Sequence, residues 1–76
     1  MDYKEALLAL MKETGNTNTS LARELGITQA AVSASIVKNK MTVEVLQRYL
    51  RLMNAKIVIE WVDPKDGRKS RRWTID

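Results

Sequence analysis

The stretch Thr17–Asn39, TNTSLARELGITQAAVSASIVKN, decides the fold of this 76-residue chain. Its pattern predicts two short helices joined by a tight turn at Gly26. Thr17 or Asn18 can cap the first of these helices through a side-chain oxygen. Because glycine adopts positive φ without a Cβ clash, Gly26 allows the chain to turn sharply between the helices. The remaining segments are expected to pack around the second helix.

Apolar residues at helical spacing define the inner sides of both helices. In the first helix the inward residues are Leu21, Ala22 and Leu25, and in the second they are Val32 and Ile36, with Val37 beside them. Ile27 is expected to be buried between the helices. Thr28 can cap the second helix, which is predicted from about Gln29 to Val37.

The outer surface of the second helix is unusual because no charged residue occurs between Glu24 and Lys38. An exposed helix normally carries glutamate, lysine or arginine at such positions. Here they are small or amide-bearing: Gln29, Ala30, Ala31, Ser33, Ala34 and Ser35. This surface suits close approach to base edges in a DNA major groove. The alternative is a helix rich in alanine and serine that packs against another protein surface.

The run Leu21-Ala22, Leu25-Gly26-Ile27-Thr28-Gln29 and Val32-Ser33 resembles the helix-turn-helix of the Cro/phage-repressor (XRE-like) family. The resemblance covers about twenty residues closely, and the flanking helices fit the family's layout more loosely. It implies a four-helix lambda-repressor-like core and a homodimer that binds double-stranded DNA at an inverted-repeat operator. The implied function is transcription regulation, as a repressor, of the kind found in phages and mobile elements.

Carried over by position, the resemblance implies base contacts by Gln29, Ala30, Ser33 and Ala34. The glutamine amide suits adenine, and the alanines suit thymine methyl groups. Thr28 and Ser35 are expected to contact phosphates. Asn18 stands where the family often has a phosphate-binding glutamine, so its reach is shorter. Larger residues are common in the family where this chain has Ala34 and Ser35.

Lys38, Asn39 and Lys40 directly follow the second helix, which the resemblance implies is the recognition helix that enters the major groove. Two ammonium groups and an amide at this position are well placed to bind the phosphate backbone. The alternative is a solvated loop whose lysines stabilise the C-terminal end of the helix dipole. Both roles are compatible.

Two further amphipathic helices are expected to complete the core. The first spans Asp2–Glu13, with Gly15 ending it, and its apolar face is Tyr3, Leu7, Leu10 and Met11. The other spans Val43–Met53 between a Thr42 cap and a terminating Asn54, and its apolar face is Val45, Leu46, Tyr49, Leu50 and Met53. The fold class is therefore mainly α, with residues 1–54 forming the helical core.

Residues 55–76 change to an alternating pattern that predicts a β-hairpin. Pro64–Gly67 is proposed as a four-residue loop, with Gly67 supplying a left-handed conformation. That loop would pair Asp63 with Arg68, Glu60 with Arg71 and Val58 with Trp73. A one-residue slip would change every pair.

The apolar side chains of this hairpin need to be covered. Either the hairpin folds back on its own helices or it associates with a second copy, as the C-terminal strands of the family commonly do. Two recognition helices would then reach successive major grooves, about 34 Å apart. The expected dimer interface is Ile57, Val58, Ile59, Trp61, Trp73 and Ile75.

The densest basic cluster is Arg68, Lys69, Arg71 and Arg72. One interpretation is a set of additional phosphate contacts beside the recognition helix. The other is a sheet edge protected from aggregation by its charges. The charge distribution fits a polyanionic partner, because residues 38–76 carry ten basic and five acidic side chains, against three and four in residues 1–37.

Composition disfavours several other classes of function. The chain has no cysteine and no histidine, so carboxylates are the only side chains expected to bind a metal. Catalysis is not expected, and neither is a metal site, a cofactor or a small-molecule substrate. No apolar run or leader suggests a membrane partner, so a soluble, cytoplasmic chain is expected. RNA binding is disfavoured because no aromatic platform is evident. The rival function is an antitoxin that binds a toxin protein through its C-terminal region and represses its own operon.

Overall fold

The computed structural model describes residues 2–38 and 41–76, and these form four α-helices followed by a two-stranded antiparallel hairpin. The helices are α1 (Tyr3–Thr14), α2 (Asn18–Leu25), α3 (Gln29–Val37) and α4 (Val43–Leu52), and the strands are β1 (Ile57–Val62) and β2 (Ser70–Ile75). The predicted mainly α fold with a C-terminal hairpin is confirmed.

Local capping residues determine where the helices begin and end. Asp2, Thr17, Thr28 and Thr42 each accept a hydrogen bond from a backbone N–H of the first turn, at 2.8–3.2 Å. Residues with positive φ follow three of the helices: Gly15 at 71° and Gly26 at 68° directly, and Asn54 at 56° two residues after α4. The sequence predicted all three, because glycine and asparagine tolerate this conformation best.

One core joins the four helices, with two buried residues from each of α1, α2 and α3, one from α4, and Met53 directly after α4. The buried side chains are Leu7, Met11, Leu21, Ala22, Val32, Ile36, Tyr49 and Met53. Met41, just before α4, donates its backbone N–H to the Tyr3 hydroxyl oxygen at 3.5 Å, which links the start of α4 to α1. The predicted inward faces are therefore correct at their central positions.

Two apolar residues do not lie where the sequence pattern placed them: Ile27, in the turn before α3, and Val37, the last residue of α3. Ile27 is 43% exposed and Val37 is 62% exposed. Ile27 contributes to the turn through its backbone N–H, which donates a hydrogen bond to the Ala22 carbonyl. Its side chain lies at the surface, whereas Leu21 and Val32 are the fully buried residues of α2 and α3. The expectation that Ile27 is buried is wrong.

The hairpin register differs by one residue from the proposed one. Ile59 pairs with Trp73, Glu60 with Arg72 and Trp61 with Arg71. The reason lies in the turn, where Asp66 accepts the Lys69 N–H through its carbonyl and the Arg68 N–H through its carboxylate. Arg68 is thereby held in the loop, which extends the loop by one residue. Gly67 does not adopt positive φ, so the expected left-handed glycine is also wrong.

The hairpin projects from the helices and does not fold back over them. Strand residues 58–62 and 70–74 are exposed, and Ile57 and Ile75, at the base, are half-buried. The chain is accordingly elongated, with principal extents of 47 × 23 × 20 Å. Both sides of the hairpin beyond its base therefore face solvent.

Candidate nucleic-acid interface

The α2–α3 unit presents α3 on the surface of the core. Three residues, 26–28, separate the two helices, which is the turn length of helix-turn-helix motifs. Thr28 caps α3 by accepting the Ala31 N–H at 3.1 Å. Val32 and Ile36, at 0% and 4% exposure, hold the inner side of α3 against the core. The opposite side of the helix therefore points outward.

Four residues form a strip along the outward side of α3: Ala30, Ser33, Ala34 and Val37. Their i, i+3, i+4, i+7 spacing places them on one side of the helix. Ala30 and Val37, at the two ends, are exposed, whereas Ser33 and Ala34 are half-buried. We call these four residues the outward strip. Gln29 lies beside its N-terminal end and is exposed.

Val37 is the member of the outward strip that sequence reasoning placed wrongly. Its apolar character suggested a position beside the inward residues Val32 and Ile36. Helical spacing predicts its position better than hydrophobicity does, because Val37 lies three residues after Ala34 and seven after Ala30, on the same side of the helix. A valine that is 62% exposed extends the uncharged surface to the last residue of α3.

The hydroxyl groups around α3 differ in what they can still donate. Ser35 donates its hydroxyl hydrogen to the Ala31 carbonyl at 2.9 Å. Since a serine hydroxyl has one hydrogen, Ser35 in this rotamer has none left for a phosphate. Thr28 accepts through its oxygen as a helix cap, so its hydrogen is available. Of the two hydroxyls expected to contact phosphates, the geometry favours Thr28.

The remaining expected backbone contacts lie at helix ends. Asn18 is the first residue of α2 and is half-buried, next to a capping box in which Thr17 and Ser20 each accept the other's backbone N–H. Lys38 is exposed and forms the C-cap of α3. Asn39 and Lys40 lie outside the described residues.

The basic cluster of the hairpin does not form a single patch. Arg71 lies opposite Trp61 on one face, and Arg72 lies opposite Glu60 on the other. Arg72 contacts the Glu60 carboxylate at 2.7 Å, with both side chains more than half exposed, so the pair contributes little to stability. Arg68 and Lys69 belong to the turn. At most a subset of the four could face one DNA backbone.

The observed register places five large apolar side chains together on one face of the hairpin, while Val58 and Val62 lie on the other face. This apolar face consists of Ile57, Ile59, Trp61, Trp73 and Ile75. Val58, which was expected in the same interface, lies on the opposite face because neighbouring residues of a strand point to opposite sides. The register therefore separates Val58 from the other five residues of the expected interface.

Trp61 and Trp73 are diagonal neighbours on the apolar face, 39% and 50% exposed, with Arg71 directly across from Trp61. Exposed indole rings beside a guanidinium can stack on unpaired bases. The absence of an aromatic platform is therefore no longer an argument against binding of single-stranded nucleic acid.

Comparison of the chain with protein-family models, with curated protein sequences and with solved structures gave no match. Each helix in the described part of the chain falls short of the length and apolar character that a membrane span requires. Within residues 2–38 and 41–76, no three carboxylates converge as they would around a metal ion. The function of this chain is therefore inferred from its residues and their arrangement.

Proposed function

We propose that this protein is a sequence-specific double-stranded DNA-binding protein of the Cro/phage-repressor type. It regulates transcription, as a repressor, by binding an inverted-repeat operator as a homodimer. The observation that carries the proposal is the exposed, charge-free side of α3, presented by a three-residue turn after α2. Such a role places the protein in the cytoplasm, with the DNA.

The dimensions of α3 suit insertion into a major groove. Its nine residues span about 13 Å, which corresponds to about four base pairs at 3.4 Å each. Small side chains allow the helix backbone to approach the base edges closely. Gln29 supplies an exposed amide that can form two hydrogen bonds with adenine. Lys38 and Thr28, at opposite ends of α3, are placed to contact flanking phosphates.

A second copy supplies what one recognition helix lacks. Four base pairs per subunit give limited specificity, and a two-fold dimer doubles the sequence that is recognised. The apolar face of the hairpin is solvent-exposed beyond its base and has the composition of an interface core, with two tryptophans among isoleucines. Association of two such faces across a two-fold axis would cover them and set the spacing of the recognition helices.

Selection of bound duplexes from a random DNA pool tests the proposal directly. The expected product is an inverted repeat whose half-sites lie about one helical turn apart. A parallel selection with single-stranded DNA tests the aromatic platform. Enrichment of single strands without an enriched duplex motif would contradict the proposed function.

Replacement of Gln29 with alanine is expected to weaken binding to the selected site by about 1–3 kcal/mol and to relax the preference at one base pair. The reason is that no other exposed amide is available on α3. Titration of the selected duplex and of its single-base variants measures both effects. Gln47→Ala on α4 is the matched control, because it removes the same amide away from α3. Unchanged discrimination in Gln29→Ala would exclude Gln29 from base recognition.

A second candidate function is an antitoxin that binds a toxin protein through its C-terminal region and represses its own operon. Two observations favour a protein partner. The apolar face of the hairpin is uncovered, and a mainly apolar cleft of about 240 Å³ lies between α1 and α4, lined by residues such as Leu10, Leu46, Leu50 and Ala55. A stable complex with the product of an adjacent gene would support this function, whereas self-association through the same face would favour the simpler regulator.

A further inference from the structure

We infer that α3 recognises DNA mainly through the C5-methyl groups of thymine, and that Val37 is a specificity-determining residue at its C-terminal end. The inference rests on the proposed function and specifies the kind of base pair that the helix selects. It follows from the groups that α3 offers on its outward side.

Hydrogen-bonding groups are scarce on that side. The amide of Gln29 is exposed, and the hydroxyl of Ser33 is half-buried. Ser35 has committed its hydrogen to the Ala31 carbonyl. Direct donor–acceptor recognition of four base pairs would require more polar side chains than these. The helix can therefore identify few bases by hydrogen bonding.

Methyl groups dominate the same surface. Ala30, Ala31 and Ala34 each present one methyl group, and Val37 presents two. In the major groove the only apolar feature of a base pair is the thymine methyl group, which alanine-like side chains contact. The surface therefore complements a groove in which thymine methyl groups are frequent, and it offers no partner for the cytosine amino group beyond Gln29 and Ser33.

Val37 extends this recognition past Ala34. It lies one helical turn further along the outward strip, about 4.5 Å along the helix axis, which exceeds the spacing of adjacent base pairs. Its exposed fraction of 62% shows that the core does not use it. A position serving solubility alone would more usually carry a charged side chain. A thymine methyl group next to the one beneath Ala34 would bury the valine side chain.

Deoxyuridine substitution tests the inference, since uracil keeps the pairing and the O4 acceptor of thymine and lacks only the methyl group. The selected duplex is synthesised with deoxyuridine at one half-site position at a time and titrated with the full chain. At two or more positions the affinity is expected to fall about 3- to 10-fold per methyl group removed. Deoxyuridine outside the half-sites is the control and is expected to have no effect.

The Val37→Ala variant identifies which of those thymine positions Val37 contacts. The variant is expected to bind the thymine duplex about 3- to 10-fold more weakly and to lose its sensitivity to deoxyuridine at that position alone. Val37→Thr, which keeps the shape and one methyl group, is expected to give a smaller loss. Since Val37 is exposed, thermal unfolding should show that both variants remain folded.

The outcomes separate the two proposals. If the wild-type chain binds a selected duplex and deoxyuridine at every half-site position leaves the affinity unchanged, methyl recognition is overturned and the proposed function stands. If sensitivity exists but Val37→Ala retains it throughout, Val37 is not the residue responsible. If the wild-type chain selects no duplex, the proposed function itself fails.

Discussion

Threonine in place of both Ile59 and Trp73 is expected to raise the Kd of self-association by about 100-fold or more. These residues face each other across the hairpin in the middle of its apolar face. Large side chains at the centre of an interface commonly contribute about 2 kcal/mol or more each, and every 1.4 kcal/mol changes Kd tenfold. Threonine keeps a strong preference for strands, so the hairpin should persist. Sedimentation equilibrium over a range of concentrations measures the Kd.

The matched control is Val58→Thr, on the opposite face of the same strand. Val58 is nearly as exposed as Ile59, at 48% against 52%, and the change is nearly isosteric. It is expected to leave the Kd of self-association within about twofold, because its side chain points away from the apolar face. Equal weakening by both variants, or a wild-type chain that stays monomeric at high micromolar concentration, would contradict association through this face.

Loss of the dimer should also change DNA binding in a recognisable way. The Ile59→Thr, Trp73→Thr variant retains α3 unchanged and is expected to bind a single half-site with nearly wild-type affinity. Its affinity for the inverted repeat should fall towards that of the half-site, because the two recognition helices are no longer held together. Weaker binding to the half-site as well would indicate that the hairpin itself contacts DNA.

Replacement of Leu21 with alanine is expected to lower the free energy of unfolding by about 2–5 kcal/mol. Leu21 has 0% exposure and belongs to the cluster that unites all four helices of the described chain. Small domains have little stability to spare, so a large part of the population should unfold at physiological temperature. Urea denaturation followed by far-ultraviolet circular dichroism measures the change.

Leu8→Ala serves as its control, because it makes the same substitution within a helix at a position that is 44% exposed. It is expected to cost less than about 1 kcal/mol, since little apolar surface is lost and alanine is a good helix former. A loss equal to that of Leu21→Ala would show that Leu8 is buried in solution, for example against a second copy of the chain.

Much of the helical architecture was predictable because its determinants are local. Thr17, Thr28 and Gly26 act on backbone groups a few residues away, so their effect can be read from sequence alone. Apolar spacing likewise identified Leu21, Val32 and Tyr49 as inward residues. These predictions succeeded because a helix has a fixed period and its caps contact only adjacent turns.

The wrong predictions of burial concern apolar residues whose exposure depends on how the helices pack together. Ile27 and Val37 are apolar and close in sequence to core residues, yet both are exposed, whereas Leu21 and Val32 are fully buried. Hydrophobicity alone does not determine which of several apolar neighbours is excluded from a close-packed core. The exposed Val37, which now belongs to the candidate interface, became evident only from the packed helices.

The stretch Thr17–Asn39 determined by itself the two helices, the turn between them and the absence of charge on α3. The hairpin register was decided by the three-dimensional structure of its turn. There the Asp66 carbonyl and carboxylate retain Arg68 in the loop. Since side chains alternate between faces with a period of two, that one residue decides whether Trp61 and Trp73 lie on opposite faces or together. They lie together, and this placement creates the apolar face proposed to join two recognition helices into one DNA-binding unit.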